Sequence, residues 1–226
     1  MDTSLIATVT SVNDQLWQDY AKKSIGTWTS QPKIYWEDID VDPVWDKWRD
    51  ANKDRLEPSF HLTWRRFSYK VQHQLLAYRE FKDTHRYLIW MDADVLELCK
   101  PTQEFYKNVL PVTRQGTQWL DDSDTVSYLG RGDDYHPETG WICYDLHNPR
   151  LTQLMFRLEE VYLSNEIFTY KEWHDAYVWD QVCRSQQLSR RNICEQPYKK
   201  GEAFGRSPLK QYYQHLKGAR KLQLKD

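Results

Sequence analysis

The chain has 226 residues, enough for one sizeable hydrophobic core, and 40% hydrophobic with 28% charged residues is the composition of a folded globular protein rather than a disordered one. A formal net charge of −2 gives no electrostatic footprint for nucleic acid, and no run approaches the roughly 20 apolar residues of a membrane span. Cys99, Cys143, Cys183 and Cys194 have no CxxC spacing, which speaks against a thiolate zinc site or a compact disulfide framework and, with no secretory leader pattern at the start, for a cytoplasmic setting.

Leu5 to Thr10 is β-branched and apolar and opens into the polar string Thr10-Ser11-Val12-Asn13-Asp14, the pattern of a buried first strand ending in a loop. A helix is expected from Gln15 to Trp28, a second strand at Lys33 to Trp36, then an acidic loop from Glu37 to Asp42 that Pro43 breaks. Trp64, Phe67, Val71, Leu75 and Tyr78 recur at spacings of three and four, predicting a long amphipathic helix with Arg65, Arg66 and Lys70 near its start. Tyr87 to Met91 is a continuous apolar run that ends in acids, as a central strand buried on both faces would.

Beyond Pro101 a helix is expected, then a strand near Thr125 to Tyr128, a Gly- and Asp-rich loop at 130–134, a strand at Trp141 to Tyr144, and an amphipathic helix marked by Leu151, Leu154, Met155, Leu158 and Tyr162. Asp175 begins one more helix. This alternation predicts an α/β fold with a mainly parallel central sheet flanked by helices, some antiparallel pairing after residue 120, and a single domain spanning 1–226. The tail from Lys210 to Lys225 carries five cations and no acid before Asp226, so it reads as a solvated helix or as a patch for phosphate or a membrane surface. Eleven Trp and 15 Tyr against seven Phe suit either core packing or sugar-binding clefts, with Trp141, Trp173, Tyr177 and Trp179 as candidates to stack on a sugar ring.

In extended chain, residues two apart share a side, so Asp92 and Asp94 can face one cavity. Two carboxylates that close repel, and a hard divalent cation relieves the repulsion while leaving positions for phosphate oxygens. The alternative is a solvated strand end with Asp94 capping a turn.

The chain resembles the GT-A (Rossmann-like) nucleotide-sugar glycosyltransferases, particularly small bacterial and phage-type members distantly similar to the glycogenin-like family. The resemblance rests on Arg66-Phe67-Ser68-Tyr69-Lys70, Ile89-Trp90-Met91-Asp92-Ala93-Asp94, Glu138-Thr139-Gly140-Trp141, Trp173-His174-Asp175 and His215-Leu216-Lys217-Gly218, in that order along most of the chain. It implies transfer of a hexose from a nucleotide diphosphate sugar, UDP-linked by expectation, to a glycan or glycoside hydroxyl. The donor half would be about 1–100 and the acceptor half about 101–226.

The resemblance further implies that Asp94 ligates the ion, Asp92 contacts the ion or the ribose, and His215 is a further ligand, whose nitrogen favours Mn²⁺ over Mg²⁺. Lys217 would neutralise diphosphate charge, and Gly218 would let the backbone approach it. Thr8, Thr10, Ser11 and Asn13 become candidates for base and ribose contacts, Arg66 and Lys70 for phosphates or sugar, and Asp175 for the base that deprotonates the acceptor. His215-Leu216-Lys217-Gly218 is similar to retaining members and His174-Asp175 to inverting ones, so stereochemistry stays open. Two other readings stand beside it: a haloacid-dehalogenase-like phosphatase, with Asp92 and Asp94 as nucleophile and acid and Gly132-Asp133-Asp134 as a distal magnesium motif, and a non-catalytic carbohydrate-binding protein.

Overall fold

The computed structural model describes residues 2–112, 123–132, 135–195 and 203–217. β1 (Ile6–Val12) is followed by α1 (Asp14–Leu16), a π-helical turn over Trp17–Ala21 and α2 (Lys22–Ile25), then β2 (Lys33–Trp36). Helical backbone thus runs from Asp14 where the apolar spacing predicts it, but with a widened turn in the middle and an end near Gly26. Pro43 does not break a loop. It is the first residue of α3 (Pro43–Ala51), where its missing N–H costs nothing, and the Asp42 side chain caps that helix by accepting from Val44 N.

α4 (Arg65–Phe81) is the long amphipathic helix, and β3 (Tyr87–Met91) follows it. After β4 (Val95–Glu97), α5 (Gln103–Val109), β5 (Val126–Leu129) and β6 (Glu138–Asp145) come α6 (Pro149–Leu163), α7 (Asp175–Ser185), β7 (Arg190–Asn192) and β8 (Tyr213–His215). The described part of the basic tail is therefore a short 3-10 turn, Pro208–Gln211, and a strand, rather than a solvated helix. Among the described residues no helix is long and apolar enough to cross a membrane.

The main sheet has six strands in the order β2-β1-β3-β6-β5-β7. β1 pairs parallel with β2 and β3, and β5 parallel with β7, while β6 alone runs antiparallel to both of its neighbours. The sheet is thus mainly parallel, with the antiparallel pairing after residue 120 centred on β6. Helices cover both faces, as a sheet buried on two sides requires. Leu88 and Trp90 of β3 enter the core shared with α4, α6 and α7, and Ile89 and Met91 enter the opposite one, so successive side chains alternate. Much of the aromatic excess is core: Trp45, Trp48, Trp64, Tyr162 and Phe168 pack ring against ring, and Trp141 and Trp179 are 1% and 2% exposed, which removes Trp141 and Trp179 as sugar-stacking surfaces.

Candidate active site

The site forms where β3 ends. Trp90 and Asp92, two apart on one face, point toward α4, and the Trp90 indole donates to Asp92 Oδ1 at 2.9 Å. A turn closed by Val95 N donating to Asp92 O (3.1 Å) then starts β4, whose antiparallel ladder with β8 sets Val95 opposite His215. That ladder carries His215 to Asp94 across more than a hundred residues: Nε2 lies 3.0 Å from Asp94 Oδ1, and Leu216 N donates to Asp94 O at 3.0 Å. On the other side of the ring, Nδ1 lies 2.6 Å from Glu138 Oε1 at the start of β6.

Glu138 is 3% exposed and collects cations: Arg131 at 2.8 Å on Oε2, and Lys217 and His215 on Oε1. Burial would raise its pKa, but the bond from His215 and the Lys217 and Arg131 charges hold it well below the usual carboxylate range. For His215 burial would lower the pKa, and its bonds to Asp94 and Glu138 instead raise it to about 9. Gly140 completes the arrangement. Its carbonyl accepts from Asp92 N at 2.9 Å, and a Cβ there would lie 2.7 Å from His215 Cε1 and 3.4 Å from Asp92 Oδ2, so only glycine admits both side chains.

Asp92, Asp94 and His215 each offer one ligand atom, and these atoms lie within 4.8 Å of one another. Two carboxylate oxygens and an imidazole nitrogen suit a divalent ion, and Glu138 on the far ring nitrogen orients the imidazole as outer-shell carboxylates do in histidine metal sites. The residues fit the ion, and the raised His215 pKa means that ligation through Nε2 must expel a proton.

Lys70, reaching in from the second turn of α4, sits 2.8 Å from both Asp92 Oδ1 and Asp175 Oδ2 and donates to Thr139 O at 3.0 Å. Burial would lower its pKa, but the Asp175 and Asp92 charges raise it above the ordinary lysine value. Asp175 opens α7 beside the capping residue His174. Burial would raise its pKa, yet Lys70 and the Thr139 hydroxyl, 2.5 Å from Oδ2, keep it below normal. The described hydrogen bonds to Asp175 all go to Oδ2.

Two cavities meet at this cluster. One, of about 70 Å³, is lined by Ser11, Tyr20 and Glu37 at the ends of β1 and β2; the other, of about 400 Å³, by Phe60, Arg131, His136, Thr139, Asp175 and Lys217. Arg66, Phe67, Lys70, Asp92 and Asp94 line both. Arg66 is exposed and has no ion pair among the described residues.

The strand-end candidates separate. Ser11 faces the smaller cavity, whereas Thr8 and Thr10 lie farther back along β1 and line neither, the Thr10 hydroxyl being buried with no hydrogen-bond partner among the described residues. Asn13 caps α1 by accepting from Leu16 N (2.8 Å) and donates to Glu37 Oε2 (2.8 Å), so it fixes a cavity carboxylate whose pKa burial raises. Gly218, Asp133 and Asp134 lie outside the described residues. Glu37, Arg131, Glu138 and Gly140 were given no role by the sequence. Glu138 and Gly140 stood inside a quoted segment, but nothing in the spacing tells which residue far along the chain they face.

No family model matches the sequence, and no curated protein does. Among solved structures, a glycosyltransferase involved in the glycosylation of the major capsid of PBCV-1 superposes with a TM-score of 0.51 at 14% identity, covering 95% of this chain and 96% of that one. The chain has a glycosyltransferase fold. Mouse xyloside xylosyltransferase 1 in its apo form overlaps with a TM-score of 0.48 at 8% identity, over 84% of this chain and 85% of that one. The pair of acids follows the third strand of the sheet, not the first, where the dehalogenase-like arrangement would have it.

Proposed function

We propose that the chain is a metal-dependent glycosyltransferase that moves a hexose from a nucleotide diphosphate sugar, UDP-linked, to a hydroxyl of a glycan or glycoside, and that residues 1–226 act as one domain. The observation that carries this reading is the convergence of Asp92, Asp94 and His215 at the junction of two cavities, ringed by Arg66, Lys70 and Lys217. The nucleoside is assigned to the end of β1 beside Ser11 and Glu37, where the cavity of about 70 Å³ takes only part of it, the diphosphate to the junction, and sugar and acceptor to the larger cavity.

In the transfer, the bond from the anomeric carbon to the diphosphate oxygen breaks with its electron pair going to the diphosphate. The acceptor oxygen bonds to that carbon and its proton passes, through Asp175 or directly, to the departing diphosphate. Asp92, Asp94 and His215 would hold Mn²⁺ or Mg²⁺, whose Lewis acidity would take up charge on the departing diphosphate. Arg66 makes no ion pair among the described residues, so it neutralises phosphate at little electrostatic cost, whereas Lys217 must share itself with Glu138. Lys70 already balances Asp92 and Asp175, and we assign it to holding those two carboxylates in place.

Asp175 remains the acceptor-side carboxylate, offering Oδ1 to a sugar hydroxyl. Its depressed proton affinity makes it a weak general base near pH 7, where an effective base has a pKa close to the working pH. The test is nucleotide release from UDP-glucose, UDP-galactose, UDP-xylose and GDP-mannose, read by mass spectrometry with Mn²⁺, Mg²⁺ or EDTA. Asp94→Asn is expected to abolish metal-dependent release while melting like the parent. Release that persists in EDTA or in the variant refutes the assigned ion site.

A further inference from the structure

A third cavity of about 260 Å³ abuts the 400 Å³ one, and His136 lines both. The partition between them is a pair of rings, His136 and His174, edge to face at 4.4 Å. Burial and the neighbouring His174 push the His136 pKa down to about 4, so the partition is uncharged on the His136 side at neutral pH.

The far wall is one face of α7. Tyr177, Gln181 and Arg184 recur at spacings of four and three and turn away from the buried Val178 and Val182. Asp175, at the start of the same helix, faces the larger cavity. Six residues of helix, about 9 Å of rise, separate Asp175 from Gln181.

The wall carries unused hydrogen-bonding groups. The Gln181 amide, the Tyr177 hydroxyl and the Lys171 ammonium have no hydrogen-bond or ion-pair partner among the described residues, and all three residues line this cavity. Its carboxylates are already engaged: Asp180 is paired with Arg184 and Arg190, each at 2.7 Å, and Glu172 meets ring nitrogens of His61 at 2.9 Å and His174 at 2.8 Å. A phosphate or nucleotide would look for several uncompensated cations and find one. A neutral ring bearing hydroxyls finds an amide, a phenol and an ammonium in reach, with Tyr135, 42% exposed, at the edge. The volume lies below the roughly 300–1,000 Å³ of drug-sized sites and suits a single sugar ring.

We propose that this cavity is a subsite for the second sugar of a glycan acceptor, so that the substrate class is an oligosaccharide of at least two rings, with its terminal ring beside Asp175 and the next against Tyr177 and Gln181. The inference rests on the transferase reading above. Glu172 serves it from behind: Trp173 N donates to His61 O at 2.7 Å, and the two histidine bonds to Glu172 clip the segment Phe60–Leu62 to the start of α7, bracing the His174 ring in place.

The experiment compares transfer from the four nucleotide sugars above to methyl glucoside, methyl galactoside and methyl mannoside with transfer to maltose, cellobiose, lactose and mannobiose. Hydrolysis of each nucleotide sugar by water is the acceptor-free control. The expected result is at least a tenfold higher kcat/KM for a disaccharide than for the methyl glycoside of its terminal sugar. Lys171→Ala combined with Gln181→Ala should bring that ratio to about one and leave hydrolysis unchanged; Gln181→Glu, which keeps the shape, serves as a second variant should the double one melt early. A ratio near one in the parent chain, or a ratio that both variants preserve, overturns the subsite while leaving the transferase reading in place. No turnover of any nucleotide sugar overturns the transferase reading and the subsite with it.

Discussion

Replacing Gly140 by alanine adds one methyl group at the point where the proposed ligands are most crowded. The new Cβ would stand 2.7 Å from His215 Cε1 and 3.0 Å from Nδ1, inside van der Waals contact, and 3.4 Å from Asp92 Oδ2. The ring has little room to retreat: Glu138 holds Nδ1 at 2.6 Å, Asp94 lies 3.0 Å from Nε2, and Phe204 packs at 5.0 Å between centroids. Overpacking of this kind costs about 1–3 kcal/mol. Displacing the outer-shell bond of a ligating histidine weakens metal affinity by about 10- to 100-fold, equivalent to about 1.4–2.8 kcal/mol. Calorimetric titration of Mn²⁺ in the presence of UDP should show that weakening, and thermal melts without metal should show the packing loss. His215→Ala should lose affinity to a similar or greater degree, and adding Gly140→Ala to it should cost little more, because the methyl would then have no ring to strike. Full Mn²⁺ affinity in Gly140→Ala, or additive losses in the double variant, would refute the assignment of His215 as a ligand packed against Gly140.

Three further outcomes follow from the same geometry. Lys70→Met leaves Asp92 and Asp175 without the ammonium that lies 2.8 Å from each, and breaking a buried pair in this way destabilises by about 3–5 kcal/mol. Since Lys70 is what holds the Asp175 pKa down against burial, its loss lets that carboxyl take up a proton more readily, and the variant should recover stability as the pH falls, measured by urea melts; a deficit independent of pH contradicts the charge argument. Asp175→Asn should remove transfer while Mn²⁺–UDP still raises the melting temperature, and unchanged transfer would strike Asp175 from the site. His73, fully buried and stacked on Tyr35 at 5.6 Å, has its pKa pushed down by burial to about 4 from an ordinary 6.5. The unfolded chain therefore takes up that proton first as the pH drops, so stability falls between pH 6.5 and about 4 by about 3 kcal/mol that His73→Phe should retain. Parallel acid dependence in parent and variant contradicts this.

The segments that announced themselves in the sequence are those whose burial is periodic. Tyr87–Met91 is a strand with the bounds its apolar run predicts, because a strand covered on both faces must be apolar throughout; Lys33–Trp36 also has its predicted bounds, although at the sheet edge only Tyr35 of it is buried; and α4 follows its three-and-four spacing because one helix face packs on the sheet. Asp92 and Asp94 were legible for the same reason: acids that follow directly on a buried strand must lie at its mouth. Pro43 misled, since a proline that ends a loop and one that starts a helix look alike until the Asp42 cap is seen.

What the sequence could not express is which distant residues share a charge. Glu138 meets His215 because β6 runs antiparallel beside β3 while β8 pairs with β4, and Lys70 joins Asp92 to Asp175 because α4 and α7 pack on the same face of the sheet. Local periodicity records which side of each element is buried. It carries no record of register between elements, and electrostatic pairing over 3 Å is decided by register alone. The order of the motifs along the chain therefore pointed to the kind of site, whereas the partners of His215, the compensation of Asp175 and the room that Gly140 leaves came only with the tertiary fold.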